Sequence, residues 1–97
     1  MINNISVSND STRMLLDLSN GQSVTLTAEF LRANAMDASS RRERIEHGAV
    51  SVSADIQISE LRQVGHTGLN VCFSDGNDRA IFPYRYLQSL VKASIDN

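Results

Sequence analysis

The sequence predicts a small α+β domain: one mixed or antiparallel β-sheet made of hairpins, with two short helices packed on it. Three observations carry that expectation. Apolar residues alternate with polar ones around Ile5, Met14 to Leu18, Val50 to Ile58 and Leu69 to Phe73, the period of a strand with one buried face. Turn residues separate these runs, at Asn20-Gly21, between Gly65 and Gly68, and at Asp75-Gly76. After the last run the spacing becomes helical, with Tyr84, Leu87, Leu90 and Val91 on one side. A chain of 97 residues suits one domain, over 1–97, with a modest core.

Each element can be justified in order. Ile5 and Val7 mark a first strand, and Asn9-Asp10-Ser11 turns the chain into a second carrying Met14, Leu16 and Leu18. Asn20-Gly21 reads as a type I′ hairpin turn, whose two central residues need positive φ, and Val24 and Leu26 return from it. Thr27 is placed to cap a short helix bearing Phe30 and Leu31, with Glu29 near its positive end.

The segment "MDASSRRERIEHG", residues 36–48, is polar throughout. Ser40 and Glu43 have capping-box spacing, which allows a single helical turn ending at Gly48; a mobile surface loop fits the composition as well. Val50, Val52, Ala54, Ile56 and Ile58 then keep a period of two and predict a strand. Leu61 and Val64 fall out of that phase, so a bulge is expected near Ser59. Leu69, Val71 and Phe73 form the next strand, and Asp75-Gly76 reverses the chain towards Ala80 and Phe82. Pro83 suits the first turn of the closing helix, where a missing N–H costs nothing. Arg85, Gln88, Ser89 and Lys92 should face water, and the final "ASIDN" should fray. The expected core contains Leu18, Val24, Leu26, Leu31, Ile56, Ile58, Val71, Phe73, Leu87 and Leu90.

An internal similarity links two stretches. "LDLSNGQSVTLTAEFL" and "VCFSDGNDRAIFPYRYL" both run strand, Ser-Asn/Asp-Gly, short strand, helix start and aromatic-Leu. Phe30-Leu31 and Tyr86-Leu87 should therefore both face the core.

Composition narrows the function classes. A net charge of −2 argues against general affinity for nucleic acid. No apolar run approaches the ~20 residues that span a bilayer, and the N-terminus lacks the pattern of a secretory signal; a cytoplasmic protein is expected. The single cysteine, Cys72, lies among strand-forming residues as a small buried hydrophobe and excludes an internal disulfide.

Few residues offer chemistry. His47 and His66 titrate near neutrality but have no His-x-x-x-His or Glu-x-x-His partner, so both read as surface or turn residues. Asp75 and Asp78 resemble a carboxylate pair, yet aspartate is common at hairpin turns for backbone reasons. Arg41, Arg42 and Arg44, with Arg32 nearby, form the basic cluster; Glu43 and Glu46 interrupt it, which favours a solvated loop over a phosphate site. There is no phosphate-binding glycine loop and no hydrolase or zincin motif, so no enzyme is expected.

"LSNGQSVTLTAEFLR", "ISELRQVGHTGLNVCFSDG" and "IFPYRYL", in that order, resemble the gamma-butyrobetaine hydroxylase-like N-terminal domain family over roughly residues 12–92. That family includes small free-standing bacterial proteins of unassigned role and a module that precedes the catalytic domain of certain dioxygenases. In the dioxygenase branch, the resemblance implies a structural zinc held by three cysteines after the Leu-Arg pair and a histidine after the later turn. The matching positions here hold Ala35, Asp37, Ser40 and Asn77, so the zinc function is not expected to carry over. His47-Gly48 resembles the His-Gly that ends the polar segment in free-standing relatives. Weak associations of the family point towards iron–sulfur or quinone-related metabolism.

The resulting expectation is a non-catalytic accessory module without a cofactor. It would bind another protein, not nucleic acid or membrane, with Arg41, Arg42, Arg44 and His47 as candidate interaction residues. The alternative is a protein that binds a small ligand or a metal or iron–sulfur group.

Overall fold

The structure, a computed structural model, describes residues 2–95. Strands β1 (Ile2–Val7), β2 (Arg13–Leu18) and β3 (Ser23–Thr27) are followed by helices α1 (Ala28–Ala33) and α2 (Ala38–His47). Strands β4 (Ile58–Val64), β5 (Gly68–Phe73) and β6 (Ala80–Pro83) lead into helix α3 (Tyr84–Ile95). The α+β class holds. The strands divide into two antiparallel sheets, β1-β2-β3 and β4-β5-β6, and the helices number three among the described residues.

The internal similarity is structural. In the first hairpin the Leu18 N–H donates to the Gln22 carbonyl at 2.8 Å and the Gly21 N–H to the Leu18 carbonyl at 3.1 Å. In the second, Phe73 donates to Asn77 at 2.8 Å and Gly76 to Phe73 at 3.1 Å. Asn20 Oδ1 and Asp75 Oδ1 each accept the N–H two residues on, at 3.0 Å. Within these two turns only the glycines carry positive φ, +88° at Gly21 and +91° at Gly76. The first turn is therefore not the expected type I′, which needs positive φ at two residues; one glycine in the left-handed region closes a longer loop instead. Each hairpin delivers its chain directly into a helix.

Both sheets share one core. Met14, Leu16, Leu26, Leu31, Val71, Phe82 and Leu87 are fully buried, and α3 packs against β3 and β6. Leu26, Leu31, Ile56, Ile58, Val71, Phe73, Leu87 and Leu90 are buried as expected, while Leu18 and Val24 are half-buried against the cluster. Phe30 and Tyr86 also pack on it beside buried Leu31 and Leu87. A backbone bond from the Ile58 N–H to the Ser11 carbonyl, 2.7 Å, ties the sheets together, and one of the same length from the Ala28 N–H to the Thr12 carbonyl carries the β2–β3 pairing to the start of α1. Cys72 is buried.

Three local expectations need revision. Residues 50–57 form no strand; Val50 and Ile56 are buried, yet this stretch only lies along the core before β4 begins at Ile58. The expected bulge is present, as a register shift between Ile58 and Glu60. Pro83 ends β6 and Tyr84 opens α3, so the proline stands just before the helix. Of the tail expected to fray, Ala93 to Ile95 continue α3, and Asp96 and Asn97 lie outside the described residues. No described helix is long and apolar enough to cross a membrane.

Candidate functional site

The polar segment supplies the largest surprise. Residues 38–47 form a helix of ten residues, not a loop or a single turn. Asp37 caps it, not Ser40, and Gly48 ends it in the left-handed conformation at φ +82°. Its one buried residue is Ser40, at 1% exposure. A helix with so little apolar contact needs other anchors, because most helical stability in proteins comes from packing an apolar face.

Those anchors converge on Arg32, which α1 points inwards at 9% exposure. Its Nε donates to Asp75 Oδ2 at 2.7 Å in the β5–β6 turn, and its Nη1 donates to Ser40 Oγ at 2.8 Å in α2. The guanidinium carbon sits 5.9 Å from the centre of the Phe73 ring, where a cation gains from the ring quadrupole. Ser40 Oγ passes the chain on, donating to Asp37 Oδ1 at 2.6 Å. Asp37 Oδ2 accepts from Ser39 Oγ at 2.7 Å, from the Ser40 N–H at 3.3 Å and from Asn77 Nδ2 at 3.2 Å. One network thus joins α1, α2 and the β5–β6 turn through Arg32, Ser40, Asp37, Asn77 and Asp75.

Electrostatics agree with the geometry. Burial alone would raise the Asp37 pKa, but hydrogen bonds from Ser40, Ser39 and Asn77 outweigh it and bring the carboxyl down from 3.8 to about 2. No buried side-chain nitrogen or oxygen among the described residues lacks a partner. The network is closed, which is the condition under which a buried polar cluster fixes structure instead of weakening it.

Arg44 adds a second anchor. Its Nη2 donates to the Ala33 carbonyl at 3.1 Å and also to the Ala35 carbonyl, so it holds the connection after α1. Tyr86 Oη donates to the Asn34 carbonyl at 2.7 Å, binding the same corner to α3. Burial pushes the Tyr86 phenol upward, against the opposing effect of Arg44. Glu43 accepts from the Ser51 N–H beyond the helix end.

The candidate interaction residues therefore divide. Arg44 is half-buried and engaged with the backbone, whereas Arg41, Arg42 and His47 are exposed on α2. His47 Nε2 lies 3.9 Å from Glu46 Oε2. His66 is exposed in the β4–β5 turn, away from this cluster in sequence and fold. Asp75, read as a turn residue, proves to be Arg32's ion-pair partner as well; Asp78 contributes its carbonyl to Asn70 Nδ2 at 3.0 Å.

Asp37, Ser40 and Asn77 occupy three of the positions that the family resemblance gives to zinc ligands, and the fold does bring them together. Their donor set does not fit a structural tetrahedral zinc, which draws its four ligands from cysteine and histidine. Asp37 is the one anionic donor, both its oxygens already accept hydrogen bonds, and Ala35 offers no side-chain donor. Among the described residues no group of three or more His, Cys, Asp or Glu is placed to hold a metal ion.

Comparison with known proteins places this arrangement. A family model described as gamma-butyrobetaine hydroxylase-like, N-terminal, matches residues 5–88. A crystal structure of a protein of unknown function of the DUF971 family, from Acidithiobacillus ferrooxidans, is similar at 28% identity with a TM-score of 0.70, covering 92% of this chain and 90% of that one. Two proteins solved in solution by NMR share the fold. One, at 23% identity and TM-score 0.71, covers 95% of this chain and 73% of its own. The other, at 19% and 0.65, covers 98% and 71%. No curated protein matches.

Proposed function

Since the chain belongs to the gamma-butyrobetaine hydroxylase-like N-terminal family, we propose that it is a non-catalytic module that works by binding another protein. One observation carries the reading: α2 is fixed by a closed polar clamp while almost none of its surface is used in the core. The helix is capped at both ends and tied by Arg32, Arg44 and Glu43, yet Arg41, Arg42 and Ile45 project into solvent. A rigid, presented helix suits recognition, because little further ordering is needed on binding. In this reading the Arg32–Ser40–Asp37–Asn77 network takes the place of a structural metal: side-chain hydrogen bonds clamp α1, α2 and the β5–β6 turn.

A second reading, a small-ligand binding protein, has its own support. A groove of about 460 Å³ lies between β1 and α3, lined by Ile2, Ile5, Leu69 and Tyr84 together with amides that include Asn3 and Gln63. Its uncharged lining suits a neutral, partly apolar ligand.

Photo-cross-linking from surface positions of the chain in cells, followed by mass spectrometry, separates the two. The module reading expects one protein recovered reproducibly from a defined face. Failure to trap any protein, with a neutral small molecule raising the melting temperature, would favour the groove.

A further inference from the structure

We propose that the outward face of α2 docks an acidic protein segment that carries an apolar side chain among its carboxylates. The inference rests on the module reading and specifies the partner's chemistry. Ser40 turns one side of α2 inwards, and Arg44 is half-buried four residues later. Ala38, Arg41, Arg42 and Ile45, at spacings of three, four and seven, share the opposite face.

Ile45 is 85% exposed, the most exposed large hydrophobic side chain among the described residues. A single exposed isoleucine is ordinary on a protein surface; its setting gives it weight here. It adjoins Arg41 and Arg42 along the helix surface, and neither arginine forms an ion pair among the described residues. Arg79 is likewise unpaired among them, and with Arg42 it lines a shallow depression of about 310 Å³ beside Asp37, Ala38 and Ser39. Asp37 keeps its charge and offsets part of the field of these arginines, but it ion-pairs with neither, and its oxygens accept from Ser39, Ser40 and Asn77.

A chain of net charge −2 thus keeps a local cationic ridge with an apolar tip. A partner carboxylate seated between Arg42 and Arg79 can accept the paired N–H groups of a guanidinium, and an adjacent apolar side chain can cover Ile45. An extended polyanion fits less well. Nucleic acid needs several phosphate contacts in register, whereas this ridge offers only a few arginines, bounded by Glu46, and Ile45 gives phosphate nothing.

The test uses the full chain, labelled with nitrogen-15, and a short fluorescent peptide in which aspartates and glutamates flank a leucine. Control peptides replace the leucine with serine or the acids with lysine, and a single-stranded RNA oligonucleotide is a further control. Saturable binding of the acidic–leucine peptide is expected, weakening as salt rises. Arg42→Glu and Arg79→Glu should each weaken it by about tenfold or more, since like charges now meet at the contact. Ile45→Ser should weaken it severalfold. Amide shifts on the wild-type chain should map to residues 38–45 and Arg79, which keeps the test independent of how the variants fold. Absent binding, equal binding of the lysine peptide, tighter binding of RNA, or shifts confined elsewhere would each overturn the proposal. If cross-linking still traps a partner on another face, the module reading survives and only this surface assignment falls.

Discussion

Replacing Arg32 with methionine probes the clamp at its hub. Methionine keeps much of the side chain's length and its contact with Phe73, so the change removes mainly polar interactions. Lost are the 2.7 Å ion pair with Asp75 and the 2.8 Å hydrogen bond to Ser40. Breaking a fully buried pair by removing one partner typically costs about 3–5 kcal/mol. Asp75 is 33% exposed and keeps its bond from the Asn77 N–H, so it can be rehydrated in part. The two lost bonds are charge-assisted, and a net cost of about 2–3 kcal/mol is expected after that relief. The loss should be concentrated in α2, which has no apolar packing to fall back on. Urea denaturation measures the global change, and amide exchange by mass spectrometry measures the local one. Exchange within residues 41–47 should accelerate by about tenfold or more, since each tenfold corresponds to about 1.4 kcal/mol of local stability. Arg32→Lys should restore only part of the effect, because an ammonium cannot reproduce the guanidinium fork. A global change below about 0.5 kcal/mol, the range of ordinary surface substitutions, together with unchanged exchange in α2, would refute the clamp.

Two further predictions address the core and the cap. Leu87 is fully buried on α3, so Leu87→Ala should destabilise by about 2–5 kcal/mol in the same denaturation assay; a change below 1 kcal/mol, on the order of a surface substitution, would mean that α3 does not pack as described. The Asp37 pKa falls from 3.8 to about 2 on folding, so its contribution is present above about pH 4 and is lost as pH falls through about 2. Asp10 is depressed into the same range by bonds from Thr12 and Ser8, so the quantity to read is the difference between wild type and Asp37→Asn. That difference should be largest near neutral pH and shrink between about pH 4 and pH 2; a pH-independent difference would contradict the carboxylate's role.

The parts of this fold that were readable in sequence are those determined by near neighbours. The hairpins follow from Gly21 and Gly76, α1 from Thr27, whose Oγ1 accepts the Phe30 N–H at 3.0 Å, and α3 from the apolar spacing of Leu87, Leu90 and Val91. Residues 50–57 misled because alternation marks any extended chain lying on a core, and only a pairing partner makes it a strand. Helix α2 was hidden for the opposite reason. It has no apolar stripe, and the Ser40–Glu43 spacing suggested a cap three residues too late. The signal that was available is Asp37 followed three residues on by Ser40, whose N–H it caps. What could not be read is the clamp. Arg32 meets Asp75 across 43 residues, and Asp37 meets Asn77 across 40, contacts that exist only once both hairpins and both helices are in place.

Metal content tests most directly whether α2 is held by this chain's own side chains. The purified protein, analysed for metals and melted with and without a strong chelator, should contain no stoichiometric zinc and should unfold at the same temperature in both conditions. Zinc at one equivalent, with a chelator-induced loss of the α2 amide protection or of the whole fold, would contradict the clamp and require ligands other than Asp37, Ser40 and Asn77.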